Sequence, residues 1–93
     1  MNFGMAEEHQ MNCQQFVDAV VREASKDGYR IETNRNGQTQ VDFGIKKLHA
    51  GHLEKLYPAI LKPGANVARE IEKVAPGRPC THRPMREILA RIS

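Results

Sequence analysis

Residues 29–45, Tyr-Arg-Ile-Glu-Thr-Asn-Arg-Asn-Gly-Gln-Thr-Gln-Val-Asp-Phe-Gly-Ile, decide the fold. Two runs of alternating apolar and polar residues flank Arg35-Asn36-Gly37, the pattern of a β-hairpin. The alternation also selects the register. A two-residue Asn36-Gly37 turn sets Ile31 opposite Asp42, which places a carboxylate among apolar neighbours. A three-residue loop, Arg35-Asn36-Gly37, with Gly37 at the left-handed bulge position, pairs Thr33 with Thr39, Ile31 with Val41 and Tyr29 with Phe43. The apolar residues then share one face, and Arg30, Glu32, Gln40 and Asp42 form a wet one. A hairpin alone is marginal in water, so its apolar face must lie on helices.

Both flanks supply them. Upstream, Cys13, Phe16, Val17, Val20, Val21 and Ala24 recur at the three-and-four spacing of one helical face, with Cys13 read as a small core hydrophobe. Asp27-Gly28 stops that helix. Downstream of Gly44 the spacing turns helical, with Leu53, Leu56, Tyr57, Ile60 and Leu61 forming a stripe that runs through Pro58. A proline inside a helix costs about 3 kcal/mol, so this stripe predicts a broken element. Pro63-Gly64 makes a turn, and Val67, Ala68, Ile71, Val74 and Ala75 mark another helix, ended by Pro76-Gly77. Residues 77–80 form a rigid linker. Thr81 is the expected N-cap of a last helix whose stripe is Met85, Ile88, Leu89 and Ile92. The prediction is an α+β domain over residues 10–93: an N-terminal amphipathic helix, one β-hairpin and three or four short helices packed on it. Residues 1–9 read as a flexible leader.

Composition narrows the function. The 93-residue chain suits one modest core, and 40% hydrophobic with 27% charged residues is ordinary for a globular domain. Three Phe, two Tyr and no Trp argue against a platform that stacks successive bases. The N-terminal residues lack a basic, apolar signal pattern, and no run approaches the roughly 18 apolar residues of a membrane span. A cytoplasmic protein without membrane partners is expected, with Cys13 and Cys80 as free thiols.

The charge is lopsided. Residues 1–47 carry six basic against seven acidic side chains, whereas residues 48–93 carry eight against four. From Lys73 onward, Lys73, Arg78, Arg83, Arg86 and Arg91 face only Glu87. Four of these five are arginines, whose planar fork suits phosphate or carboxylate. These five are the candidate site residues, and nucleic acid or a nucleoprotein complex is the expected acidic partner. A sequence-reading helix-turn-helix is a poor fit, because residues 76–81 are too long and too proline-rich for its turn.

Other chemistry is less well supplied. His49 and His52 stand three apart and Cys80 and His82 two apart, but no Cys-x2-Cys pair or His-Glu-x-x-His pattern accompanies them, so no metal is expected and the first pair reads as capping or surface histidines. Cys80, set among Arg78, His82 and Arg83, is the one thiol whose surroundings favour a thiolate. Glu7 with Glu8, and Glu70 with Glu72, do not form a catalytic dyad. Phosphate-binding glycine loops are absent, so no nucleotide cofactor is expected. The sequence therefore points to a small non-enzymatic binding protein with an Arg-rich C-terminal face. The alternative is a protein-binding adaptor or inhibitor that docks on a larger machine, using the hairpin edge to add a strand.

Overall fold

A computed structural model gives the fold, and it describes residues 11–78 and 80–92. The expected leader, together with Glu7 and Glu8, lies outside the described residues. The order is α1 (Cys13–Lys26), β1 (Arg30–Thr33), β2 (Thr39–Asp42), β3 (Lys47–His49), α2 (Ala50–Ile60), α3 (Val67–Val74) and α4 (Arg83–Ile92). This is the α+β architecture that the hydrophobic pattern predicts, with one strand more. No helix among the described residues is long and apolar enough to cross a membrane.

α1 opens on a capping box. The Asn12 side chain accepts from the Gln15 amide at 2.8 Å, and the Gln15 side chain accepts from the Asn12 amide at 3.0 Å. Its apolar stripe buries Phe16, Val17, Ala19, Val20 and Ala24. Cys13 is exposed, contrary to the expectation of a core thiol, because it is the first residue of α1, at the open end of the stripe.

The hairpin takes the three-residue loop. β1 and β2 pair Thr33 with Thr39, Ile31 with Val41 and Arg30 with Asp42. Gly37 has φ 81°, the left-handed conformation that the bulge requires. Its N–H donates to the Asn34 carbonyl at 3.0 Å, and the Asn34 N–H donates to the Gln38 carbonyl at 2.8 Å. Tyr29 and Phe43 meet edge to face at 5.1 Å between ring centroids. The opposite face is drier than the alternation implies, since Glu32, Gln40 and Asp42 are half-buried and Glu32 pairs with Lys47 at 3.4 Å.

The added strand, β3, starts where the pattern predicts helix. The Phe43 N–H donates to the Lys46 carbonyl at 3.0 Å across the two residues Gly44 and Ile45, and Gly44 has φ 88°. A positive φ at the first of two turn residues matches the twist of a hairpin, so the chain folds back instead of entering a helix. β3 pairs antiparallel with β2, giving the order β1-β2-β3. The reversal leaves Ile45 59% exposed at the turn.

α2 follows β3 without a spacer, because His49 is at once the last strand residue and the helix N-cap. Pro58 does not break it. The missing N–H of Pro58 frees the Glu54 carbonyl, and the Cys13 thiol lies 3.9 Å from that oxygen as a weak donor. α2 stops one residue before Leu61, which is 53% exposed and not part of the stripe. The Tyr57 ring stacks on Phe16 at 4.5 Å. Its hydroxyl accepts from the Met11 N–H at 3.1 Å and donates to the Met11 carbonyl at 2.8 Å, fixing the chain just before α1.

The layers close on one core of Phe16, Val20, Val41, Leu48, Leu53, Leu56, Ile71, Met85 and Ile88. Each large aliphatic or aromatic side chain buried there contributes about 1.5–3 kcal/mol. α4 delivers Met85, Ile88 and Leu89 against α1. It begins at Arg83, two residues after the expected cap at Thr81. The Arg86 N–H donates to the His82 carbonyl at 3.0 Å, so His82 occupies the residue before the first turn and Thr81 is left exposed.

Candidate functional site

The five basic residues expected at the site do not form a uniform face. α4 buries Met85, Ile88 and Leu89, which by helical spacing turns Arg83, Arg86 and Arg91 outward, and all three are exposed. Arg91 is nevertheless engaged. Its guanidinium grips the Asp27 carboxylate through two hydrogen bonds of 3.0 and 2.6 Å and lies 3.5 Å from Glu23. This planar, two-bond pairing locks the last turn of α4 to the end of α1. The hydrogen bond from Arg91 holds the Asp27 carboxyl below its ordinary pKa, and the same bond raises that of Arg91. Arg91 thus points outward as expected but serves as a structural clamp, with its guanidinium already paired to Asp27.

Arg83 pairs with Glu87 at 3.0 Å along α4, and Lys73 with Glu70 at 3.4 Å along α3. Both are exposed one-turn ion pairs, a class worth only about 0.3–0.5 kcal/mol and easily exchanged for a stronger anion. Arg78 and Arg86 are exposed and have no carboxylate partner among the described residues. Arg83 and Arg86 stand three apart on one helix, close enough to address neighbouring phosphates.

A second cluster lies where α3 meets the segment leading into α4, and the sequence announces only its Cys80 and His82. Glu72, on the polar side of α3, accepts a 2.6 Å hydrogen bond from His82 Nε2. His82 is only 6% exposed and has φ 54°. A left-handed non-glycine residue stores about 1–3 kcal/mol of strain, which this bond and the packing around the ring must offset. Lys46, from the turn before β3, brings its Nζ within 3.4 Å of the same Glu72 oxygen and donates to the Ala75 carbonyl at the end of α3. The Lys46 side chain is 9% exposed. A buried ammonium needs such partners, and the α3 C-terminus also favours a cation. The His82 hydrogen bond first, and the nearby Lys46 charge after it, hold the Glu72 carboxyl below its ordinary pKa against the opposing effect of burial.

Cys80 completes the cluster. One donor atom each from Glu72, Cys80 and His82 lies within 4.8 Å of the others. The four residues singled out by sequence spacing keep to their two pairs, since Cys80 and His82 join Glu72 while His49 and His52 cap α2 as one of the expected readings had it. His49 Nδ1 accepts from the His52 N–H at 3.2 Å, and His52 Nδ1 accepts from the His49 N–H at 3.3 Å. The two rings stack at 3.6 Å. Sequence reasoning missed Glu72 and Lys46, because their meeting depends on the unforeseen turn before β3. Glu70 and Glu72 do diverge, one toward Lys73 and the other toward His82.

No family model, no curated protein and no solved structure matches this chain.

Proposed function

We propose that the protein is a small cytoplasmic binding protein, without a catalytic step, that engages the phosphate backbone of nucleic acid or a nucleoprotein complex through Arg78, Arg83 and Arg86, with Lys73 as a further basic contact. The observation that carries this reading is the pair Arg78 and Arg86, both exposed and unmatched by carboxylate among the described residues. Solvated guanidinium groups without an internal counterion are the groups that gain most from phosphate oxygens. The scarcity of aromatic residues favours contacts to the backbone over contacts to the bases. The second reading, a protein-docking adaptor or inhibitor, is supported by β1, which among the described residues pairs on one side only, at the end of the β1-β2-β3 order.

Fluorescence anisotropy with labelled duplex DNA and single-stranded RNA across a salt series tests the first reading. Binding is expected to weaken with salt by a slope of about 0.9 per phosphate contact on duplex DNA. Arg83→Glu with Arg86→Glu should flatten that slope while the protein stays folded. Arg91 is left intact because its loss would disturb the clamp. A folded double variant that binds as tightly as wild type at low salt removes the reading, as does wild type that binds neither nucleic acid.

A further inference from the structure

We infer that Glu72, Cys80 and His82 form a binding site for a borderline-soft divalent cation, Zn2+ being the best match. The inference is independent of the polyanion reading. Three different donor types, a carboxylate oxygen, a thiol sulfur and an imidazole nitrogen, converge from α3 and the segment leading into α4. That set suits zinc better than magnesium or calcium, which call for several oxygen ligands. The size also fits. Zinc bonds of about 2.0–2.3 Å to these atoms put neighbouring ligands about 3.5 Å apart. The donors here span from the 2.6 Å His82–Glu72 contact to a separation within 4.8 Å, so small side-chain movements reach that spacing.

The local chemistry defines what binding must do. The proton held between His82 Nε2 and Glu72 Oε2 occupies the place a metal would take. A cation entering there takes the Nε2 lone pair while the ring proton moves to Nδ1, so that His82 binds as neutral imidazole, and Cys80 coordinates as the thiolate, releasing its own proton to solvent. Lys46 stands 3.4 Å from Glu72 and competes for the carboxylate, which selects against weakly bound ions. Glu72 and Cys80 are half-buried while His82 is buried, so the open side of the site is formed by the sulfur and the carboxylate. Solvent supplies the fourth ligand from that side, as in three-ligand zinc sites.

Cobalt(II), a spectroscopic stand-in for zinc, tests the assignment in the reduced full chain. One equivalent should give the thiolate-to-cobalt charge-transfer absorption, and zinc should abolish it stoichiometrically. The chain has two cysteines, Cys13 and Cys80, so the band should survive Cys13→Ala and vanish in Cys80→Ala. Circular dichroism checks that both variants are folded, and Glu72→Gln should lower the zinc affinity at least tenfold. Absence of the band in wild type overturns the site. A band that survives Cys80→Ala, or one that requires two chains per metal, does the same.

Discussion

His52, paired with His49 at the start of α2, makes stability depend on pH near neutrality, with a sign that follows from its geometry. Each Nδ1 accepts a backbone N–H from the other residue, so both rings must carry their proton on Nε2. Protonating the His52 Nδ1 turns an acceptor into a donor facing the His49 N–H. Burial first, then the charges of His49, Lys55 and Lys46, lowers the His52 pKa from its ordinary value of 6.5. A lowered value in the fold means that the unfolded chain binds the His52 proton first as pH falls. Stability is therefore present above pH 6.5 and declines from there until the folded-state value is passed. Losing the one cap bond that His52 accepts sets the upper scale at about 1 kcal/mol. For a domain of this size, each kilocalorie shifts the melting temperature by about 4–8 °C.

Thermal unfolding at pH 7.5, 6.5 and 5.5 measures the effect. The control comes from α1, whose Asn12 and Gln15 make the same reciprocal cap with side chains that do not titrate. His49→Asn with His52→Gln should keep the stability at pH 7.5 and flatten its decline toward pH 5.5. Gly51 offers an independent check. A Cβ there would stand 2.9 Å from His49 Cε1, so Gly51→Ala must displace the His49 ring from its cap and should weaken the pH dependence. An equally steep decline in the Asn/Gln variant would refute the argument and move the pH dependence elsewhere.

The clamp and the hairpin give two further tests. Arg91→Glu should lower the melting temperature by more than Arg86→Glu, whose exposed charge should matter within about ±0.5 kcal/mol. Because Asp27 has a lowered folded-state pKa, its contribution is present above the unfolded carboxylate value and lost as pH falls through the folded one, so the Arg91 variant should lose less on acidification. Equal melting temperatures for the two variants would demote the clamp to a surface contact. Gly37→Val should destabilise by about 1 kcal/mol or more, through strain alone, since no atom lies within 4 Å of the added Cβ. An unchanged melting temperature would remove the bulge argument.

The residues differ in how plainly they state their roles. Tyr29, Ile31 and Thr33 alternate against Thr39, Val41 and Phe43, and a one-residue slip would bury Asp42, so the hairpin register was legible. β3 was not, because Lys47-Leu48-His49 holds one apolar residue and three positions cannot show a period. Pro58 misled for a related reason. The helical penalty is local, whereas the Cys13 thiol that meets the freed carbonyl lies 41 residues upstream. The site divides in the same way. Arg78, Arg83 and Arg86 follow from charge and stripe, but Arg91 finds Asp27 across 64 residues and Glu72 meets His82 and Lys46 only through tertiary folding. Spacing records which face a residue occupies and not what arrives opposite it.

The place of α4 in the core bears on how the chain behaves while it is being made. Phe16 and Val20 of α1 are sealed in the finished fold, and Met85 and Ile88 belong to the same core. At translation speeds of roughly 5–20 residues per second, α4 leaves the ribosome on the order of ten seconds after α1. During that interval α2 and the sheet can cover part of the α1 stripe, as Tyr57 covers Phe16, but the part that α4 seals stays open to chaperones that hold exposed hydrophobic segments. A stop codon before Met85 would make the exposure permanent, and such a product should be cleared by proteolysis rather than accumulate as a smaller domain.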